Sequence, residues 1–208
     1  MKRHGFTGPS VAYVDDRRVV WSEGFGLADE ARGVEATAAT LYRAGSVSKL
    51  FTALAVMQLA ERGRLDLDAP ITDSVPTFDP RTRFGSIDGI TLRTILSHHS
   101  GIPNAIRDGL FAREPDAFET VTARLAGHYA AYPPDTVFSY SNAGYCVVGH
   151  AVQNVTGRPF VDHVARSAWT ELRWLSTSSP AKPELPLPAL WRSYCLSARH
   201  CSKVRSHG

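Results

Sequence analysis

The sequence predicts an α+β fold in which an antiparallel sheet and a helical region are separate along the chain. Three observations lead there. Residues 11–14 and 18–22 are short apolar, β-branched runs on either side of Asp15-Asp16-Arg17, the pattern of a β-hairpin. Later periodic segments repeat their apolar residues at helical spacing. The chain has 208 residues, 43% hydrophobic and 21% charged. That is enough for one domain with its own core, or for part of a larger one, and it excludes a disordered or fibrous chain.

The elements follow in order. Gly24-Phe25-Gly26 comes after the second strand, but no helix opens behind it and a third glycine is missing. It reads as a bend rather than a dinucleotide loop. The clearest helix begins near Ser46, with Leu50, Phe51, Leu54, Met57 and Leu59 as its apolar face and Gly63 as its stop. Residues 65–70 turn away from it. Thr91 is placed to cap a short helix through Leu96, broken at Gly101-Ile102-Pro103. Residues 116–126 fit a third helix. Pro133-Pro134-Asp135 opens a loop, and a helix is expected from about Tyr145 to Thr156, stopped by Gly157 and Pro159. Another starts near Phe160.

After Arg166 the composition changes. Residues 167–208 carry net charge +4 and hold three of the four Trp and two of the three Cys. No helical or strand period persists there. The expectation is a domain over 1–166 and an atypical, poorly packed tail over 167–208.

Several function classes drop out. Net charge is +3, too small to argue for nucleic acid. Three Cys without a C-x-x-C pair make neither a disulfide framework nor a zinc site. The eight His show no paired ligand spacing, so no metal is expected. Cys146 lies among Val147 and Val148 and reads as a buried thiol. Residues 136–157 lack charge but contain Ser139, Asn142, His150, Gln153 and Asn154, which excludes a membrane span. Met1-Lys2-Arg3-His4 is basic, but no apolar signal core follows. As written the chain reads as cytoplasmic; a start further upstream would make it periplasmic or secreted.

Two short motifs carry chemistry. The basic residues are 19 Arg against 4 Lys, so each Lys invites a question about its proton. Ser46-Val47-Ser48-Lys49 is an S-x-x-K pattern where the best helix begins. Positions i and i+3 share one face, so Lys49 stands one turn from Ser46 and could take its hydroxyl proton if burial kept it neutral. The ordinary alternative is a capping Ser and a surface Lys. About 0.35 such patterns are expected by chance, and the chain has two. The other, Ser179-Pro180-Ala181-Lys182, is followed at once by Pro183 and cannot continue a helix. Tyr140-Ser141-Asn142 is a Y-x-N pattern expected about 0.1 times by chance. A phenol beside an ammonium gives up its proton more readily, and an amide can bond both a Lys and a substrate carbonyl. The ordinary alternative is a half-buried Tyr with an Asn turn.

Together, 94 residues apart, the two motifs resemble the serine β-lactamase and penicillin-binding family. The likeness is strongest to the class C β-lactamase branch with its esterases and D-aminopeptidases, in which Tyr replaces the Ser of S-D-N. Tyr42-Arg43-Ala44-Gly45 resembles the approach to the nucleophile. Residues 94–102 resemble an L-L-x-H-x-S-G-L segment, and residues 138–145 an F-x-Y-S-N-x-G-Y segment. The resemblance covers about residues 8 to 166.

It implies a β-lactamase/transpeptidase-like fold, an antiparallel sheet flanked by helices plus a helical region, with the site between them. It also implies a serine hydrolase. Ser46 would attack a carbonyl and form an acyl-enzyme, Lys49 and Tyr140 would share the proton, and Asn142 would position Lys49 and the substrate. No cofactor is implied, and the partner is a small-molecule or peptide substrate. The oligomeric state and the choice among β-lactam, D-peptide and ester stay open. The family's third motif, K-T-G or H-x-G on a late strand carrying one oxyanion donor, has no counterpart after Tyr140; His99-Ser100-Gly101 precedes it. The expectation is therefore a chain truncated at its C-terminal strands, with slow or no turnover alone. The alternative is a non-catalytic fragment or a weak ligand-binding pseudo-enzyme.

Overall fold

β1 (Ser10–Asp15) and β2 (Arg18–Gly24) pair antiparallel in a hairpin. Its two-residue turn, Asp16-Arg17, has φ of 41° and 61°. Positive φ at both central positions is the turn geometry whose twist matches that of the strands. The register shifts between Tyr13 and Val14, where Val20 of β2 is left unpaired as a bulge. The computed structural model describes residues 6–42, 45–104 and 116–171, and the chain divides into two units, 1–43 and 44–208.

The first unit adds a second, very short hairpin that the sequence did not announce. β3 (Leu27–Asp29) pairs with β4 (Val34–Glu35). The Gly24-Phe25-Gly26 segment is the bend between β2 and β3. A Cβ on Gly24 would lie 2.3 Å from the Ala36 carbonyl oxygen, so glycine is required by close backbone approach. Tyr42 ties the end of the unit back to its start: its hydroxyl donates to the Gly8 carbonyl at 2.7 Å and bonds Ser10 Oγ at 2.9 Å.

The second unit is helical. α1 (Ser48–Glu61), α2 (Leu92–Leu96), α3 (Phe118–Leu125), α4 (Asn142–Thr156) and α5 (Phe160–Glu171) follow one another, with 3₁₀ turns at Gly45–Val47 and Ile71–Asp73. α4 is the central element. It packs on α1, α2, α3 and α5, and every residue from 143 to 152 is buried. A helix enclosed all round needs apolar residues all round, which is why 136–157 lacks charge. None of the described helices is long and apolar enough to cross a membrane. Val147, Val148, Ala151 and Val152 meet Val56 and Leu59, Ile95, Val121 and Leu125, and Phe160 and Val164 in one core. The approach of α3 leaves no room at Gly149, where a Cβ would sit 2.7 Å from the Phe118 ring.

Two sequence expectations need correction. α1 buries only part of the face expected of it: Leu59 is buried and Phe51 and Leu54 pack against the core, but Leu50 is 70% exposed and Met57 43%. Ser48, Lys49, Thr52, Ala55, Val56 and Gln58 are buried alongside Leu59. Lys49 and its polar neighbours take the buried side, so the apolar count misplaced it in part. α4 starts at Asn142, not near Tyr145, because Ser141 is its N-cap and accepts the Gly144 N–H at 2.9 Å. Asn142 is thus the first helical residue rather than a loop residue. The Thr91 cap is present, in a reciprocal capping box with Thr94. α5 extends to Glu171; residues 172–208, most of the expected tail and the second S-x-x-K at Ser179, lie outside the described residues.

Candidate active site

Ser46 occupies the 3₁₀ turn Gly45–Val47 just ahead of α1, and Gly45 reaches φ 53° to make it. The α1 N-cap position is Val47, which makes no side-chain cap bond, so Ser46 is not spent on capping. It is exposed. Lys49 lies one turn on and is only 8% exposed. Neither ordinary reading of the S-x-x-K pair describes these residues.

The Y-x-N residues arrive from the other side. The Tyr140 hydroxyl is 2.7 Å from Ser46 Oγ. Lys49 Nζ donates to Asn142 Oδ1 at 2.7 Å and reaches Ser46 Oγ at 3.5 Å. It also lies over the rings of Tyr140 and Tyr145, 4.7 and 5.2 Å from their centroids. Two aromatic faces and an amide oxygen thus surround the buried Lys49 nitrogen. All four residues singled out from the sequence, Ser46, Lys49, Tyr140 and Asn142, therefore meet within the second unit.

Residues to which the sequence reading gave no role complete the arrangement. Asn104 Oδ1 accepts from Asn142 Nδ2 at 3.1 Å and from the Asn142 backbone N–H at 3.2 Å. That fixes the Asn142 amide so that its oxygen, not its nitrogen, faces Lys49. The Asn104 carbonyl takes the Asn142 and Ala143 N–H groups, and Ser141 Oγ donates to the Pro103 carbonyl. The first turn of α4 is thus stitched to residues 103–104. Tyr145 donates to the Leu96 carbonyl at 2.9 Å. Burial, with a smaller effect from Tyr140, raises its pKa, so it stays protonated and serves as a ring and a donor. His98 packs its ring on Tyr140, with centroids 4.4 Å apart. Burial above all, then Lys49 and His99, pushes its pKa below the ordinary 6.5. His98 and Tyr145 stand inside the family-like segments; Asn104 left no signal except being one of three Asn in the chain.

Chemically, the cluster offers an exposed hydroxyl, a phenol in hydrogen-bond contact with it, and a buried lysine nitrogen beside both. Among the described residues no three His, Cys, Asp or Glu side chains gather as a metal site would require. Cys146 is buried in α4, inside the core.

Comparison with known proteins agrees with this geometry. A family model described as Beta-lactamase matches residues 1–193. Protein flp of Staphylococcus aureus (strain N315) is 31% identical over 172 residues, covering 82% of this chain and 34% of its own length. Esterase EstB of Burkholderia gladioli is 35% identical over 154 residues, 68% of this chain and 39% of its own. The chain thus spans between a third and two fifths of these relatives. Among solved structures, the D-amino acid amidase of Ochrobactrum anthropi SV3 superposes with a TM-score of 0.68 at 26% identity, covering 83% of this chain and 47% of that one. The family match covers more than nine tenths of the sequence and includes both motifs, and the fold is that of β-lactamase and penicillin-binding relatives: the chain belongs to the beta-lactamase family.

Proposed function

We propose that this chain carries the nucleophilic centre of a serine hydrolase of the class C β-lactamase-related branch, acting on an amide or ester. The observation that carries the reading is the 2.7 Å contact between Ser46 Oγ and the Tyr140 hydroxyl, with Lys49 Nζ 3.5 Å from the same oxygen.

In the acylation step, Ser46 Oγ forms a bond to the substrate carbonyl carbon as its proton passes to the Tyr140–Lys49 pair. The carbonyl oxygen takes the negative charge of the tetrahedral intermediate. Collapse re-forms the carbonyl and breaks the bond to the leaving amine or alcohol, which receives the proton back. The result is an ester on Ser46. Water then attacks that ester, giving its proton to the same pair, and release of the acid returns the proton to Ser46. Tyr140 is the direct partner by distance. The proton belongs to the coupled pair and is not divided further between its members. Asn142 holds Lys49 through its Oδ1, and its further role in this reading is to position the substrate.

EstB is named an esterase and the Ochrobactrum protein an amidase, which supports an acyl group as the shared substrate feature. The test is intact-mass labelling of the full chain with a serine-directed fluorophosphonate. One adduct per chain, absent in Ser46→Ala, is the expected result. An unlabelled parent chain would favour the non-catalytic alternative.

A further inference from the structure

Tyr140 lies just before the N-cap of α4, outside helix and strand, and it is 36% exposed. Nothing in regular secondary structure fixes where its hydroxyl points. One residue does so from both sides. The backbone N–H of Ser139, before Tyr140, donates to the His98 carbonyl at 2.7 Å. The backbone N–H of Ser141, after it, donates to His98 Nδ1 at 3.2 Å. Between these two bonds the His98 ring lies against the phenol ring, 4.4 Å between centroids and tilted 37°. The imidazole also packs on Tyr145 at 5.1 Å and meets the edge-on ring of Phe138 at 5.8 Å. His98 itself takes φ 63°, a left-handed conformation that His tolerates better than most side chains.

We propose that His98, as a neutral imidazole accepting the Ser141 N–H at Nδ1, is the positioning residue that holds Tyr140 on Ser46. The proposal rests on the reading of Ser46 and Tyr140 as nucleophile and proton acceptor. His98 does not reach the reacting atoms and acts through Tyr140. The argument is one of geometry. Proton transfer over a 2.7 Å contact tolerates little displacement, and misplacement of about 1 Å can cost around a hundredfold in rate. Protonation at Nδ1 would set a donor against a donor and release the segment at Ser141. The titratable or charged groups facing the ring are Lys49 of α1, the adjacent His99, and Tyr140 and Tyr145. Burial disfavours a cation on His98, and the clamp should hold at neutral pH and open in acid.

Two substitutions separate this role from plain packing. His98→Asn keeps a side-chain acceptor near Nδ1, accepts the left-handed backbone and does not titrate. His98→Gly accepts the same backbone but keeps neither acceptor nor ring. Two readouts are taken on the full chain, with folding checked by circular dichroism: the pH profile of the fluorophosphonate labelling rate, and the ¹⁹F resonance of 3-fluorotyrosine placed at position 140 in a Ser46→Ala background. We expect His98→Gly to slow labelling about tenfold to a hundredfold at neutral pH, and His98→Asn to recover most of that loss. The ¹⁹F resonance should move with a histidine titration in the parent, and that step should vanish in His98→Asn. Equal labelling rates in folded His98→Asn and His98→Gly, or a ¹⁹F titration unchanged by His98→Asn, would overturn the proposal. The ¹⁹F arm needs no reactive serine. A parent chain that fails to label therefore refutes the hydrolase reading while the clamp is still read separately.

Discussion

Replacing Tyr140 with Phe removes one oxygen and leaves nearly everything else. The ring remains beneath Lys49, 4.7 Å from Nζ, and beside His98. The backbone bonds that flank it do not involve the side chain. What disappears is the 2.7 Å contact to Ser46 Oγ. As a structural bond between partly exposed groups it is worth about 0.5–1.5 kcal/mol at most, so the thermal midpoint should scarcely move. As a route for the Ser46 proton it is worth far more. A positioned base contributes roughly 10²–10⁴ in rate, equivalent to about 3–5 kcal/mol of barrier. Lys49, 3.5 Å from the same oxygen, remains and can take over part of the task. The expected loss is therefore near the lower end, about a hundredfold. The assay is the observed rate of fluorophosphonate labelling by intact mass, with thermal unfolding in parallel. A folded Tyr140→Phe chain that labels within about threefold of the parent would refute the reasoning, since a lost proton acceptor cannot be so cheap.

Two further outcomes follow. Lys49→Arg should impair labelling as severely as Lys49→Ala, because a guanidinium keeps its proton and does not fit the place of an amine held by Asn142 and two rings; Lys49→Arg at the parent rate would remove Lys49 from the proton path. Stability should fall on the acid side, because burial depresses the pKa of His98, His150 and His163 below 6.5. The unfolded chain then binds more protons than the folded one between each depressed value and 6.5. The stabilising contribution is complete above 6.5 and is lost as pH falls through that window. Urea midpoints measured from about pH 8 to pH 5 should decline toward acid; a flat profile would contradict this.

The fold class was legible because its signals are local. The Asp-Asp-Arg turn between two β-branched runs, the Thr91 cap and the Gly157 stop each determine a piece of backbone through neighbours a few residues away. The β3–β4 pair was not legible, since strands of three and two residues carry no period. The buried face of α1 was read only in part, because burial there takes in Lys49 and Thr52 and leaves out Leu50 and Met57. For the site, Ser46 and Lys49 share a helical turn that spacing alone exposes. Their meeting with Tyr140 and Asn142 could come only from the paired motifs, since no periodicity reaches across 94 residues. Asn104 and the clamp at His98 depend on backbone groups meeting side chains from distant segments, which no residue pattern encodes.

The central claim is that Ser46 is the acyl-accepting nucleophile of this chain. The most direct measurement is rapid-quench mass spectrometry during reaction with a p-nitrophenyl ester, followed by peptide mapping of any acyl group retained. The account predicts an acyl adduct on Ser46, absent in Ser46→Ala and slowed in Tyr140→Phe. An adduct mapped to Ser100 or Ser141, or p-nitrophenol release that persists unchanged in Ser46→Ala, would contradict it.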